Sequence, residues 1–245
     1  LLSPLPAMIK KWLASYIRGR STFVEFRGAR SGHRRTKQGV PQGGVLSPAL
    51  FNMYLSSLPP PPEDISIVTY ADDITTLATG RDIGALCRAT NGYLGDLHRW
   101  LESRALKLSV EKSTASLFTT WTKEVGRQLD IVVAGSPLPT TAAAKILGVT
   151  FDPMMTFHRH AANVCAKVSQ RSTMLKALAG TAWGCSKEVL INTFKAIGRS
   201  VLNYAAPVWT PLLSDSRWQD LQVRQNAAIR LATGLHKMSP VPHLH

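Results

Sequence analysis

The feature that most constrains the fold is a pair of apolar, β-branched runs, Ile65 to Tyr70 and Ile74 to Ala78, with only three residues between them. Such runs are typical of β-strands. A connection this short joins two strands only as an antiparallel hairpin. The connecting residues are Ala71-Asp72-Asp73, so the sequence predicts two adjacent carboxylates at the tip of a hairpin.

Two neighbouring carboxylates repel each other unless a positive group lies beside them. Mg²⁺ is a candidate, because it is a hard cation that takes oxygen ligands. The alternative is a solvated turn, in which Asp is common because its side chain bonds to the local backbone. The Asp72-Asp73 pair alone leaves both interpretations open.

The charge of the chain is unevenly distributed along its length. The net charge is +14. Residues 1–50 carry nine Lys/Arg against one acidic residue (+8), residues 51–150 nine against ten (−1), and residues 151–245 eleven against four (+7). Two basic flanks around an acidic centre favour a polyanionic partner, nucleic acid above all. The alternatives are a basic surface that serves only solubility and an anionic membrane surface, although no basic amphipathic helix is evident that would lie on a membrane.

Composition narrows the class of protein. A length of 245 residues with 44% apolar content is typical of a globular chain of one large or two modest domains. No apolar run approaches a membrane span, and Lys10, Lys11 and Arg18 interrupt what could be a signal peptide. The chain begins without Met, which indicates a fragment. Three cysteines without metal-ligand spacing suit a reducing compartment, and we expect no zinc site.

The hydrophobic periodicity predicts a mixed region up to about residue 152, followed by helices only, which is an α+β fold. The predicted helices run from Ser3-Pro4 to about Ile17, from Ala49 to about Leu58, over Asp82–Arg104, and near 156–179, 186–203 and 215–233. Besides the Asp-Asp hairpin, the predicted strands are Ser21–Phe26 and Thr114–Phe118, and a second hairpin pairs Leu129–Val133 with Lys145–Val149.

Several motifs occur in an order that resembles the palm of reverse transcriptases. They are Gly39-Val-Pro-Gln-Gly43, Leu46-Ser47-Pro48, Phe51-Asn52 and Tyr70-Ala71-Asp72-Asp73. Later motifs resemble those of non-LTR (LINE-type) retrotransposons of the jockey branch. These are Lys107 to Ser113, Leu147-Gly148-Val149 followed by Asp152, Leu178 to Gly184, Tyr204 to Trp209 and Gln225-Asn226. The resemblance covers essentially the whole chain.

The resemblance implies a right-hand polymerase fold. Residues 1–152 would form a partial palm with an antiparallel sheet, without the fingers and the upstream catalytic strand, and residues 153–245 a helical thumb. The implied activity is RNA-directed DNA polymerisation by two metal ions, Mg²⁺ or Mn²⁺. The implied partners are an RNA template, a DNA primer and dNTPs, with no membrane, in the cytoplasm and nucleus. The oligomeric state is left open.

The resemblance also implies roles for individual residues. Asp72 would be the main metal ligand with Asp73 assisting, and Lys112 a charge stabiliser or proton donor near the leaving phosphates, unless it is a plain surface lysine. Tyr70 would lie near the primer or simply pack as a strand residue. The remaining assignments are Pro41, Gln42 and Gly43 to nucleotide and template, Leu147 and Gly148 to the primer grip, and Arg30, Arg34, Arg35 and Lys37 to the nucleic-acid backbone.

The sequence departs from the family pattern in its acidic residues. The family uses a further aspartate from an earlier strand, but the acidic residues before Ile65 are Glu25, Glu63 and Asp64, none in a matching context. We therefore expect the matching strand upstream of Leu1, and weak metal binding and little catalysis by this chain alone. Ser109 and Gly44 also stand where relatives commonly have Asn and Ser. A non-catalytic nucleic-acid-binding remnant and a group II intron-type enzyme are the alternatives.

Overall fold

The computed structural model describes residues 5–180, 184–236 and 238–240. These residues form two compact units. The first contains the residues up to Leu108 together with Val132–Gly135, and the second contains Ser109–Ile131 and the residues after Gly135. Helices alternate with short antiparallel strand pairs, so the predicted mixed helix-and-strand fold is confirmed. No helix of the described residues is long and apolar enough to cross a membrane.

The first unit holds three helices and the predicted Asp-Asp hairpin. The helices are α1 (Ala7–Ile17), α2 (Ser47–Leu55) and α3 (Ile83–Ser103). The strands are β1 (Ser21–Thr22), β2 (Glu25–Phe26), β3 (Ala29–Arg30), β4 (Arg34–Arg35), β5 (Ile65–Tyr70), β6 (Asp73–Ala78) and β7 (Val132–Val133). The predicted start of α1 at Ser3-Pro4 lies outside the described residues.

Helix α3 forms where the sequence predicts it because both its start and its buried face are encoded locally. The side chain of Asp82 caps the first turn by accepting a hydrogen bond from the Gly84 amide at 2.8 Å. Leu94, Leu97 and Leu101, spaced three and four residues apart, are all buried. The remaining face carries the polar residues, which gives an amphipathic helix packed near β6 and β7.

The predicted strand Ser21–Phe26 is wrong as a single element. It is split into β1, which pairs with β4, and β2, which pairs with β3. Thr22 pairs with Arg34, and Glu25 pairs with Arg30. Two residues lie between Thr22 and Glu25, but three lie between Arg30 and Arg34. That extra residue makes a β-bulge, which interrupts the ladder. The basic residues Arg30, Arg34 and Arg35 therefore lie on the return strand of a hairpin.

The second unit is mostly helical. Its helices are α4 (His158–Leu178), α5 (Lys187–Phe194), α6 (Ser200–Asn203), α7 (Ala206–Trp209) and α8 (Asp215–Thr233), with a π-helical turn at Lys195–Arg199 that joins α5 to α6. Its strands are β8 (Ser136–Pro137), β9 (Ala144–Ile146) and β10 (Val149–Phe151). The three long helical segments predicted from periodicity are confirmed. Thr181 and Trp183 of the Leu178–Gly184 motif lie outside the described residues.

Two predicted strand features of the second unit are wrong. The segment Thr114–Phe118 is not a strand, and its pairing is limited to one bridge between Ala115 and Thr140. Ile146 pairs with Val149 and Lys145 pairs with Thr150, so this strand does not pair with Leu129–Val133. A two-residue turn brings β9 and β10 together at almost no loop-closure cost. This local pairing therefore prevails over the predicted pairing with Leu129–Val133.

The core of the second unit joins β10 to α4, α6 and α8. Phe157, Val168 and Trp209 are almost fully buried in it. The imidazole of His160 packs against the indole of Trp209 with ring centroids 4.9 Å apart. Nδ1 of His160 accepts a hydrogen bond from the Thr150 amide at 3.2 Å, so this nitrogen carries no proton in the fold.

Burial of His160 makes the stability of this unit sensitive to acid. Burial, and to a smaller extent the Lys167 ammonium, lowers the pKa of His160 below its ordinary value. Below about pH 6.5 the unfolded chain takes up a proton that the folded chain does not. We expect the free energy of unfolding to fall by up to about 1.4 kcal/mol per pH unit as the pH drops through this range, and this contribution to be flat above it.

Denaturant unfolding of the protein and of His160→Asn between pH 5 and 8 measures this contribution. The Asn amide oxygen can accept from the same backbone amide but does not titrate. The difference between the two curves should slope below about pH 6.5. Parallel curves across the whole range would contradict the assignment.

Candidate active site

The β5–β6 hairpin presents the paired carboxylates. Its strands pair over six positions, from Ile65 with Ala78 to Tyr70 with Asp73. The loop contains two residues, Ala71 and Asp72, because Asp73 is already the first residue of β6. The hairpin predicted from sequence is therefore confirmed, with a loop one residue shorter than expected.

The turn has an unusual backbone at its first position. Ala71 has a φ of +52°, whereas Asp72 is not among the residues with positive φ. Positive φ at the first loop position alone is the pattern of a type II′ turn, in which Gly is the favoured residue. Holding Ala in this region costs about 1–3 kcal/mol. Strain of this kind persists where the surrounding structure enforces it, and here six strand pairs do so.

Both carboxylates are available to a ligand. Asp72 and Asp73 are exposed, and neither has a hydrogen-bond or ion-pair partner among the described residues. Tyr70 is 65% exposed at the end of β5. It lies directly across the ladder from Asp73, so the two side chains share one face of the hairpin. The alternative of a packed strand tyrosine does not fit this exposure.

The acidic pair fits a Mg²⁺ ion that other groups help to hold. Mg²⁺ is typically bound through one or two carboxylates and completes its octahedron with water and substrate phosphates. Asp72 and Asp73 supply such carboxylates. Within the described residues, no group of three or more His, Cys, Asp or Glu side chains could hold a metal ion.

The Gly/Pro loop before α2 is held by its own backbone. The Pro41 carbonyl accepts hydrogen bonds from the Gly44 amide at 3.2 Å and from the Ser47 hydroxyl at 2.5 Å. Gly43 has a φ of +80°, which glycine adopts without strain. Gln42 is exposed at the tip of this loop. Ser47 is buried and begins α2, so one residue both starts the helix and fixes the loop.

The basic residues assigned to the nucleic-acid backbone lie on the β1–β4 hairpin or just after it. Arg30 ends β3, and Arg34 and Arg35 form β4, whereas Lys37 follows β4. All four are exposed. Arg30 is paired with Glu25 across the ladder, with Nε and Oε2 2.8 Å apart. The other three have no ion-pair partner in the part of the chain that the structure describes.

Three predicted site residues belong to the second unit. Lys112 is exposed at the end of a single 3₁₀ turn, Val110–Lys112. Leu147 and Gly148 form the two-residue loop between β9 and β10. Both have positive φ, +46° and +84°, which is the pattern of a type I′ turn.

Tyr204 fixes the Leu147-Gly148 turn, and sequence reasoning missed this role. The hydroxyl of Tyr204 donates to the Leu147 carbonyl at 2.7 Å. A Cβ placed on Gly148 would lie 3.3 Å from the Tyr204 ring, so the ring covers the glycine closely. The Tyr204 carbonyl in turn accepts from the indole N–H of buried Trp209 at 3.0 Å. The Tyr204–Trp209 motif was the available signal, since it contains both residues.

Comparisons with known proteins identify the family of the chain. The family model described as "Reverse transcriptase (RNA-dependent DNA polymerase)" matches residues 1–151. The chain therefore belongs to the reverse transcriptase family. No solved structure matches it significantly.

The curated relatives are polymerases of mobile elements. The chain is 29% identical to the "Probable RNA-directed DNA polymerase from transposon BS" of Drosophila melanogaster, over 93% of this chain and 26% of that protein. It is 26% identical to the "RNA-directed DNA polymerase from mobile element jockey" of the same species, over 94% of this chain and 25% of that protein. The chain thus spans about a quarter of the length of these relatives. The predicted resemblance to the jockey branch is confirmed.

Removing the Tyr204 hydroxyl should loosen the Leu147-Gly148 turn. We expect Tyr204→Phe to lower the free energy of unfolding by about 0.5–1.5 kcal/mol, because one hydrogen bond is lost while the ring stays. Amide exchange of Gly148 and Val149 should become faster. Tyr54→Phe is the matched control, since the Tyr54 hydroxyl bonds to the Arg104 carbonyl in the first unit. Equal exchange rates for Gly148 in both variants would contradict the role.

Proposed function

We propose that this chain supplies the catalytic hairpin and nucleic-acid contacts of an RNA-directed DNA polymerase of a jockey-like mobile element. The observation that carries the proposal is the β5–β6 hairpin, which presents two open carboxylates at a strained two-residue turn. Membership of the reverse transcriptase family and the polymerase activity named for the relatives support the reaction. The substrates would be an RNA template, a DNA primer and dNTPs.

Asp72 and Asp73 would hold Mg²⁺ or Mn²⁺, two ions in the complete enzyme. Such ions lower the pKa of an attacking hydroxyl and neutralise charge on transferred phosphates. Asp72, in the loop, would be the main ligand. Asp73 would assist, because its backbone is already committed to the first pair of β6.

The other residues would position nucleic acid. We propose that Pro41, Gln42 and Gly43 lie against the incoming nucleotide and template, where glycine lets the backbone approach closely. Tyr70, exposed beside Asp73, would contact the primer end. Lys112 would stabilise charge on the leaving phosphates.

The second unit would act on the primer side. We propose that Leu147 and Gly148 grip the primer end, held by Tyr204. Residues 1–152 would correspond to a partial palm and residues 153–245 to a helical thumb in a right-hand arrangement. The enzyme would act in the cytoplasm and nucleus.

A charge-removing substitution at the turn tests the catalytic proposal. In the protein extended upstream to include the earlier family aspartate, we expect Asp72→Asn to abolish primer extension on an RNA template. Asn keeps the size and the turn but loses the anionic ligand. The protein with Glu63→Gln, a substitution outside the hairpin, should extend primers at the wild-type rate. Wild-type rates from the Asp72→Asn protein would refute the role of the hairpin.

Residues 1–245 by themselves should extend primers weakly or not at all in Mg²⁺ or Mn²⁺. No group of three or more His, Cys, Asp or Glu side chains among the described residues could hold a metal ion, and ligand number sets affinity for the ion. Primer extension by this chain is the measurement. Robust synthesis would show that no further aspartate is needed.

A second candidate function is binding without chemistry. The basic residues of 1–50 and 151–245 favour it, since they give charges of +8 and +7 by the counts above. Asp72→Asn separates the two functions, because it should remove extension yet leave phosphate-driven binding intact. Binding that barely changes with salt would argue against both candidates.

A further inference from the structure

The segment from Arg20 to Lys37 forms an exposed arm of the first unit. Every residue from Ser21 to Arg35 is exposed. The arm is a β-hairpin closed by Phe26 and Ala29, with Arg27 and Gly28 in a turn at positive φ of +50° and +81°. Its ladder is supported by the Val24–Ser31 backbone pair, in which the Ser31 amide donates to the Val24 carbonyl at 2.9 Å.

The arm is strongly cationic. Between residues 20 and 37 there are six Lys/Arg and one Glu, a net charge of +5. Glu25 is engaged by Arg30, and Arg20 bonds to the Ile17 and Gly39 carbonyls at the base of the arm. Four cations are left along its length, and they are Arg27, Arg34, Arg35 and Lys37. Charge of one sign on an exposed ribbon fits a polyanion.

The same arm exposes aromatic rings. Phe26 is 68% exposed and Phe23 is 42% exposed. Phe23 is already flanked, by the Arg30 guanidinium 5.2 Å from its centroid and by the His33 ring at 5.0 Å. Phe26 has the Arg27 guanidinium 5.2 Å from its centroid and is otherwise open. Strand alternation places Val24 and Phe26 on one face and Phe23 and Glu25 on the other.

We propose that this arm binds single-stranded nucleic acid, with a base stacked on Phe26 and the flanking phosphates held by Arg27 and Arg34, which lies opposite Thr22 on the Phe26 face. Aromatic rings between cations are the combination that binds single strands without sequence preference. A duplex keeps its bases stacked inside, so it cannot use the ring. This inference rests on the proposed nucleic-acid function and adds the kind of strand and the residue that reads it.

An apolar protein partner is the other occupant that the exposed face could accept. The charge of the arm argues against it, since a protein interface that buried Arg34 and Arg35 would need matching acids for both. In nucleic acid, the phosphate of every nucleotide supplies such a negative charge.

Fluorescence anisotropy in EDTA tests the proposal with labelled 12-mers, one of single-stranded RNA, one of single-stranded DNA, one duplex, and one abasic strand with the same number of phosphates. We expect Phe26→Leu, which keeps an apolar side chain but no ring, to weaken single-strand binding about five- to hundredfold. Duplex and abasic binding should not change. Val24→Ala, on the same face and 69% exposed, is the matched control and should bind as wild type.

Equal single-strand affinities of Phe26→Leu and wild type would overturn the proposal. So would an equal loss with the abasic strand, since no base is there to stack. If Phe26→Leu and Val24→Ala both lower the thermal midpoint without affecting binding, the face packs against protein and the proposal is also wrong. The binding assay contains no dNTP and no free divalent ion. Its result is therefore independent of whether the Asp72-Asp73 hairpin catalyses polymerisation.

Discussion

The candidate site depends on one constraint, the antiparallel ladder that forces Ala71 into positive φ. Six consecutive pairs between β5 and β6 leave only two residues to reverse the chain. With so few residues, the loop favours one of the primed turns, whose twist matches that of the flanking strands. Alanine tolerates this at a cost, and the result is that Asp72 lies in the loop while Asp73 is the first residue of β6. A looser loop would leave both carboxylates free to move and to bond to their own backbone.

The second unit also contains a two-residue hairpin turn with positive φ, but a side chain stabilises it instead of a long ladder. The Leu147-Gly148 turn joins strands of only three residues each, too short to enforce a turn by pairing alone. Tyr204 supplies the missing support, through its hydroxyl on the Leu147 carbonyl and its ring against Gly148. Buried Trp209 then bonds to the Tyr204 carbonyl. A surface turn is thus tied to a hydrophobic core through a chain of two hydrogen bonds.

Much of the molecule follows from local sequence. Helix α3 could be predicted because its cap at Asp82 and its leucines at three- and four-residue spacing act within the helix itself. The β5–β6 hairpin could be predicted because its connection is short. The strand Thr114–Phe118 and the pairing of Leu129–Val133 could not, because composition does not show which distant segment a strand will find. The bulge in the β1–β4 hairpin could not be predicted either, because one extra residue does not visibly change the hydrophobic periodicity.

The sequence by itself determined that two carboxylates sit at a bend, that the flanks are basic, and which family the motifs belong to. These properties depend on residues adjacent in the chain. Only the tertiary structure decided that Tyr204 holds Leu147, 57 residues away, and that His160 lies unprotonated at Nδ1 against Trp209. It also decided that the basic segment is an exposed ribbon with open rings. The physical reason is that burial and contact are set by which segments meet in space, and that depends on all the competing pairings at once.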